Sequence, residues 1–534
     1  MPANKSGSLV LAAMIFAVSM TFIDQTIVSI SIPTIQQHLG LTETGVQWIV
    51  SGYLLAMAAV FALGGRLADV VGHRTMLVIG ILIFTICSAL CGATPEGDLA
   101  EAWLIFFRVI QGAGAAIMFP AALAITVAAF PIEKRGQALA VFFGITGALT
   151  SVGPIAGGYL TEWTWRSIFW INIPIAIISL VLIYLSKPDN RRVSQPLDLR
   201  GAVLIALGMG LSVLGFQQSA TWGWDDPLTW ICIVGGFAIL VAFWMFENRQ
   251  KFPLIRVSIF RQRAFLADNV MLFLLSIAFV PLIFFASLYS QISLGWDASD
   301  AGLYLLVFFG GFVFGAQMGG KILDSKGAKP AAALGAVLAA VGFFLWAGQV
   351  TDIADGLGGQ WIYMVLAGAG VSLMLSPVST DAINRAPNTS YGEATGITQT
   401  VRNYAAAFGL AVLGTILTTR NQANVEEKLQ GLGVPTAESD KIAHAMTSAG
   451  GGSQDAISSH ASGAGSEKIF GALQEAFAAS TSTVLYIMGG VMVLAYLVAH
   501  FGMVSGKMKE IIVDEDQRPA VPEAGAPAPE TTGA

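Results

Sequence analysis

The chain has 534 residues, 55% of them hydrophobic and only 12% charged, with a formal net charge of −6. A soluble domain carries about 25% charged residues, and no water-soluble interior can hide this much apolar surface, so an integral membrane protein is expected. Cys87, Cys91 and Cys232 all lie in apolar runs and fit neither a disulfide framework nor a metal cluster.

Residues 8–32 and 204–216 are apolar on every face, which predicts spanning helices rather than the alternating strands of a barrel. Runs of about 20 residues, long enough to cross a bilayer, follow in chain order. They fall near 9–35, 45–64, 75–93, 103–125, 137–160, 167–186, 200–217, 228–246, 264–292, 300–320, 330–348, 360–380, 393–418 and 482–504, which is fourteen. The first is too long for a signal peptide and stays in the mature protein.

The basic residues test that count. Of 28, the N-terminus, the even-numbered loops and the tail hold 21, the odd-numbered loops hold five, and two, Arg108 and Arg402, lie inside spans. By the positive-inside rule both termini are cytoplasmic, in a multi-pass protein of the cytoplasmic membrane. The expected layout is a cytoplasmic N-terminus (1–8), a six-helix bundle (9–186), a linker with two inserted spans (187–263), a second six-helix bundle (264–506) and a disordered cytoplasmic tail (507–534). Residues 419–481 are expected as a long outer loop, with Ile469, Phe470, Leu473 and Phe477 forming one apolar helical stripe. Packing against the bundle is the favoured reading of that stripe, over a place on the membrane surface.

An internal repeat appears at an offset of 255. It sets Gly64-Gly65-Arg66 through Asp69, Gly72 and Arg74 against Gly319-Gly320-Lys321 through Asp324, Gly327 and Lys329. Eight spans separate the copies, so the halves are parallel repeats. Asp24 and Arg108 have no charged counterpart, because their places hold Phe279 and Tyr363. An ionisable group in mid-span costs at least about 2.5 kcal/mol and ordinarily marks an ion or substrate path. The bland alternative for Asp24 is a structural hydrogen bond, and for Arg108 and Arg402 the tying of helices through carbonyls. Asp268, a turn from the cytoplasmic edge, is expected to snorkel.

The first span reads Phe22-Ile23-Asp24-Gln25-Thr26-Ile27-Val28-Ser29-Ile30-Ser31-Ile32-Pro33-Thr34-Ile35, which resembles the first-helix signature of the fourteen-span drug:proton antiporters of the major facilitator superfamily. In order follow a loop motif at Gly65 to Leu77, a fourth-span motif at Arg108-Val109-Ile110-Gln111-Gly112-Ala113-Gly114, and an antiporter motif with Gly144, Gly147, Gly153, Pro154, Gly157 and Gly158. Trp165 to Pro174 and Gly368-Ala369-Gly370 with Pro377 complete the series. The resemblance implies an all-α fold of two six-helix bundles plus two inserted helices. It also implies a cytoplasmic gating loop at Gly65, Asp69, Gly72 and Arg74 and a motif that seals the cavity against proton leak. The family's basic residues in the loop are replaced here by Val70 and His73, so the gating charges are expected to rest on Asp69, Arg74 and Lys134 or Arg135.

A carboxyl in a low-dielectric cavity can trade a proton for cargo. Asp24 is therefore expected as the coupling carboxylate, with Arg108 biasing it and Asp24, Gln25, Gln111, Asn172 and Arg402 facing the substrate cavity. The partners are small-molecule substrates, protons and membrane lipids, with no nucleic acid, nucleotide, metal or cofactor beyond the proton motive force, in a monomer. Gly315 to Lys321 spells most of a phosphate-binding loop, but Ile322 replaces the Ser/Thr and no strand precedes it. The sequence thus reads as an exporter of small amphipathic or lipophilic compounds and not an enzyme. An exporter of lipid or cell-envelope precursors is the alternative, and a non-transporting membrane sensor ranks third.

Overall fold

A computed structural model describes residues 3–130, 138, 141–142, 145–146, 149, 152–190, 197–386, 391–432, 434–435 and 466–506. Every regular element among them is helical: α1 (Ala3–Leu39), α2 (Glu43–Val71), α3 (His73–Gly92), α4 (Ala100–Ala128), α5 (Val152–Trp163), a single turn Ser167–Trp170 leading into α6 (Asn172–Ser186), α7 (Leu199–Trp222), α8 (Pro227–Glu247), α9 (Arg263–Ile292), α10 (Ala298–Lys326), α11 (Ala328–Gln349), α12 (Leu357–Asn384), α13 (Tyr391–Gly431) and α14 (Ser466–Leu497). Thirteen helical segments among the described residues are long and apolar enough to span a membrane, and α5 is the described part of the fourteenth expected span. In lipid a backbone amide finds no water, so an apolar run of this length satisfies its groups only by coiling on itself.

Local chemistry starts and stops these helices. The Thr42 hydroxyl accepts from the Gly45 amide at 2.9 Å to open α2, and Asp297 accepts from the Asp300 amide at 2.8 Å to open α10. Between α2 and α3 the chain turns at Gly72 (φ 113°), and between α10 and α11 at Gly327 (φ 88°), the matching position of the repeat.

The repeat extends to helix packing. α2 and α3 both pack on α4, and α10 and α11 both pack on α12. At Gly112 the α4 backbone lies against the Tyr53 carbonyl of α2, and at Gly368 α12 lies against the Phe308 carbonyl of α10; a Cβ would overlap that oxygen in either place. Small residues bring helices this close where no hydrophobic force separates lipid from protein.

The two bundles meet along α5 with α10, α2 with α13, and α1 with α9. Several of these contacts gather at the end that the sequence assigns to the outside. There Gly158 faces Ala298 and Ser299, Gly302 faces the Pro154 carbonyl, and Gln291 donates to the Ile30 carbonyl at 3.0 Å.

The inserted helices are fastened to both bundles. α7 is hydrogen-bonded to α2 between Ser51 and Gln217 (2.9 Å). It is bonded to α13 between Ser212 and Tyr404 (2.8 Å) and from Thr415 to the Phe216 carbonyl (2.8 Å). α8 packs on α7.

The stretch expected as a loop over 419–481 is helical at both ends, since α13 continues to Gly431 and α14 begins at Ser466. The two extensions pack through Val425 and Leu429 against Leu473 and Ala476, with Ile469 and Phe470 alongside. The apolar stripe is thus a helix–helix contact, as its spacing favoured. The tail 507–534 lies outside the described residues.

Candidate functional site

The mid-span charges predicted from sequence meet. Asp24 on α1 is 0% exposed and Arg108 on α4 is 1% exposed. Arg108 Nη1 donates to Asp24 Oδ2 at 2.5 Å and to Gln111 Oε1 at 2.9 Å, Gln111 Nε2 donates to Asp24 Oδ1 at 3.0 Å, and Arg108 Nε donates to the Ile49 carbonyl at 3.1 Å. The guanidinium also lies over the Tyr53 ring at 4.3 Å. Both carboxylate oxygens are therefore satisfied, and α1, α2 and α4 are joined at one point. Gln111 reaches Asp24 because it stands one turn beyond Arg108 on the same helix face.

The remaining sequence-selected residues divide. Gln25 is a neighbour of the cluster, donating to Met57 Sδ at 3.7 Å. Gly153 lies against Thr26 Oγ1 on α1, Gly157 against Ile27, and Pro154 against Gly302, so the described part of the antiporter motif packs α5 onto α1 and α10. Gly144 and Gly147 lie outside the described residues.

Asn172 makes no hydrogen bond to Asp24. Its Nδ2 donates to Ser88 Oγ at 2.9 Å, and Ser88 in turn donates to the Phe169 carbonyl, which ties α6 to α3. Arg402 on α13 likewise makes no hydrogen bond to the cluster, with Nη1 donating to Gln399 on its own helix at 2.7 Å and a buried Nε without a partner.

One expectation about charge is corrected, and one charged residue has a partner that the sequence did not suggest. In the loop between α2 and α3, Asp69 is bonded at 3.2 Å to His73, the first residue of α3, because the turn at Gly72 brings the end of α2 against the start of α3. The Arg74 backbone amide instead donates to Asn190 Oδ1 at 3.2 Å, so the linker after α6 caps the start of α3. Lys134 and Arg135 lie outside the described residues. Asp268 does not snorkel: it is 1% exposed and faces Asp381 and Arg385 of α12. A short aspartate cannot reach the edge as a lysine can, and α12 supplies its surroundings.

In the second bundle the positions that repeat Asp24, Tyr53 and Met57 hold Phe279, Phe308 and Phe312. Phe279 stacks on Phe312 at 5.3 Å between centroids and on Phe308 at 6.3 Å. An aromatic stack thus stands where the first bundle has its polar cluster. Nearer the other end, Gln360 donates to Tyr289 at 2.8 Å and accepts from Tyr304 at 2.5 Å and Trp346 at 3.2 Å, a buried network that sequence reading missed. Its members lie on four helices, α9 to α12, and no short motif marks them. A cavity of about 390 Å³ at the same end, between the bundles, is lined by His38, Glu162, Gln291, Trp296, Asp297 and Gln474 among others. It is separate from the Asp24 cluster. Among the described residues no group of three or more His, Cys, Asp or Glu side chains is arranged to hold a metal.

Two parallel helical bundles with a buried acid–base pair in one of them define a multi-pass membrane transporter. The chain belongs to the Major Facilitator Superfamily, whose family model matches residues 14–410. It is 32% identical to the tetracenomycin C resistance and export protein of Streptomyces glaucescens, over 77% of this chain and 76% of that one. It is 32% identical to the cephamycin export protein CmcT of Amycolatopsis lactamdurans (78% and 87%), and 30% identical to the puromycin resistance protein pur8 of Streptomyces alboniger (82% and 86%). Its fold is similar to an inward-facing bacterial homologue of the human lysosomal transporter Spinster, with a TM-score of 0.62, 16% identity, and 93% and 98% of the two chains covered. It is also similar to the Escherichia coli xylose transporter XylE, with a TM-score of 0.59, 12% identity, and 95% and 100% covered.

Proposed function

We propose that this protein is a proton-coupled antiporter that exports small amphipathic or lipophilic compounds across the cytoplasmic membrane by alternating access. The observation that carries the reading is the Asp24–Arg108–Gln111 cluster. Asp24 accepts from Arg108 and Gln111 as a carboxylate, and a proton on either oxygen removes one of those bonds. Protonation therefore loosens α1 from α4, and deprotonation restores the tie. Such a group exchanges a proton for cargo because each occupant favours a different arrangement of the same helices.

Tetracenomycin, cephamycin and puromycin are compounds named for the relatives, and they support a drug-like cargo for this chain. A singly cationic or neutral cargo suits a cavity with one coupling carboxylate. One proton moving through 100 mV releases roughly 2.3 kcal/mol. At 1.4 kcal/mol per tenfold ratio that sustains roughly a forty- to fifty-fold gradient, with no nucleotide required.

In this reading Gly158 and Gly302 let the bundles close at the outer end, and rocking about the seam exposes the cluster to either side. The test is cargo uptake by everted vesicles under an imposed proton gradient. Wild-type protein accumulates cargo and dissipates the gradient when cargo is added. Asp24→Asn that still drives uphill transport coupled to protons would sink the assignment.

A further inference from the structure

The second bundle holds a buried acid cluster that the Asp24 mechanism does not use. Asp268 of α9 is 1% exposed and Asp381 of α12 is 4% exposed. Arg385, one turn beyond Asp381, donates from Nε to Asp381 Oδ2 at 2.6 Å and from Nη2 to the Gly506 carbonyl at 3.0 Å. Asp268 of α9 lies beside the Asp381 carboxyl of α12, and its own Oδ2 is buried with no donor among the described residues.

The charged groups that act on Asp268 are Asp381 of α12 and Arg385, the residue that follows α12. The other described segments packed against α9 are α1, α10, α13, α14 and the short helical turns 257–261 and 498–502; the titratable residues of those two turns are Arg261 and His500, and neither acts on Asp268. Two carboxyls and one guanidinium leave a net negative charge in a low-dielectric interior if both acids ionise. A carboxylate beside a carboxylate, with an oxygen lacking a donor, is the arrangement that one added proton resolves. That proton neutralises the cluster, supplies the missing O–H donor and turns a repulsive contact into a hydrogen bond.

We propose that Asp268 and Asp381 form a second proton-binding site, holding one proton between their carboxyls at the end of the second bundle that carries Gly327. The positions that repeat Asp268 and Asp381 in the first bundle are Ala13 and Thr126, both buried and neither ionisable, so the site has no twin. It is also distinct from Asp24, whose two oxygens are both satisfied by donors. Arg385 joins the site to the end of the chain beyond α14 through Gly506, and loss of the proton frees Asp381 and Asp268 to compete for that arginine. If the antiport reading is right, this site carries a proton separate from the one on Asp24; the proton-binding claim itself does not depend on that reading.

The test is infrared spectroscopy of the full-length protein reconstituted in lipid, following the carbonyl absorption of protonated carboxyl groups at neutral pH in light and heavy water. Difference spectra compare wild type with Asp268→Asn, Asp381→Asn and Asp24→Asn. Asparagine keeps the volume and donates to the remaining carboxylate, as the proton would, so both cluster variants are expected to fold. The expected result is a deuterium-sensitive protonated-carboxyl band that is lost in Asp268→Asn and Asp381→Asn and kept in Asp24→Asn. The absence of such a band in wild type, or its persistence in either cluster variant, overturns the proposal. Loss of proton-coupled uptake in Asp24→Asn vesicles, measured separately, reports on the antiport reading alone.

Discussion

Arg108 donates to Asp24 at 2.5 Å while neither residue exposes more than 1% of its surface, so this ion pair of the first bundle is shut away from both water and lipid. A buried pair of this kind stabilises little in net terms, but breaking it leaves an uncompensated charge that costs about 3–5 kcal/mol.

The first prediction follows from that asymmetry. Arg108→Ala leaves Asp24 facing Gln111 alone and is expected to lower the unfolding temperature in detergent sharply. The double change Asp24→Asn with Arg108→Ala removes both charges and is expected to recover part of the loss. A double variant no more stable than Arg108→Ala would mean that the pair is not what holds α1 to α4. Arg108→Lys is expected to fall between them, since an ammonium cannot bond Asp24, Gln111 and the Ile49 carbonyl in the same plane.

Close contact of the bundles at the Gly158–Gly302 end depends on glycine. A Cβ on Gly158 would stand 2.7 Å from Ser299 Cα and 2.8 Å from the Ala298 carbonyl, and one on Gly302 would overlap the Pro154 carbonyl. Gly158→Ala and Gly302→Ala are therefore expected to disfavour the arrangement seen here. Thiol labelling of a cysteine placed at Gln291, which lies at that contact, should be faster in both variants than in the otherwise identical parent. Gly310→Ala, where a Cβ meets nothing within 4 Å, is the control and should leave labelling unchanged.

The turn between α2 and α3 makes a prediction of a different kind. Gly72 sits at φ 113° with Asn190 closing over it, and an added Cβ would strike that side chain. Gly72→Ala is expected to cost about 1–3 kcal/mol from backbone strain. Asn190→Ala, which removes a cap from the start of α3, should cost about 1 kcal/mol. Thermal unfolding of the two variants should keep that order, and a Gly72→Ala protein as stable as wild type would contradict the account of the turn.

A fourth prediction concerns the insert. Asp198 Oδ2 and Glu247 Oε1 are both buried without donors and both lie beside Gly201, while Glu247 Oε2 accepts from the Ile255 amide at 3.1 Å. Two facing acceptors need a donor, and Glu247→Gln supplies an amide N–H. The variant is expected to unfold at a higher temperature than wild type, by a stabilisation of about 1 kcal/mol. The exposed Lys428–Glu475 pair at 2.5 Å is the contrast: Lys428→Ala should move stability by about 1 kcal/mol or less.

Sequence reading reached the Asp24 cluster because a charge inside an apolar run is visible one residue at a time, and its absence from the repeat singles it out further. It did not reach the acid site of the second bundle. Asp268 stands near a helix end, where an aspartate commonly meets water, and only the approach of α12 buries it. The Ser88 partner of Asn172 was hidden for the related reason that a polar residue in a span shows that a partner exists without showing which helix supplies it.

By itself the sequence determined the membrane-spanning class, the thirteen described spans and the place of the fourteenth, the parallel repeat, and the loneliness of Asp24 and Arg108. These are properties of apolar length, glycine spacing and charge along one strand of chain, and lipid leaves such a chain few alternatives to helix. The tertiary structure alone decided which polar groups meet: His73 rather than Arg74 with Asp69, Ser88 with Asn172, Asp381 with Asp268, and α7 bonded to both bundles. Those pairings depend on helix rotation and crossing, which in lipid are set by small differences in close packing between distant segments, and no local run of residues records them.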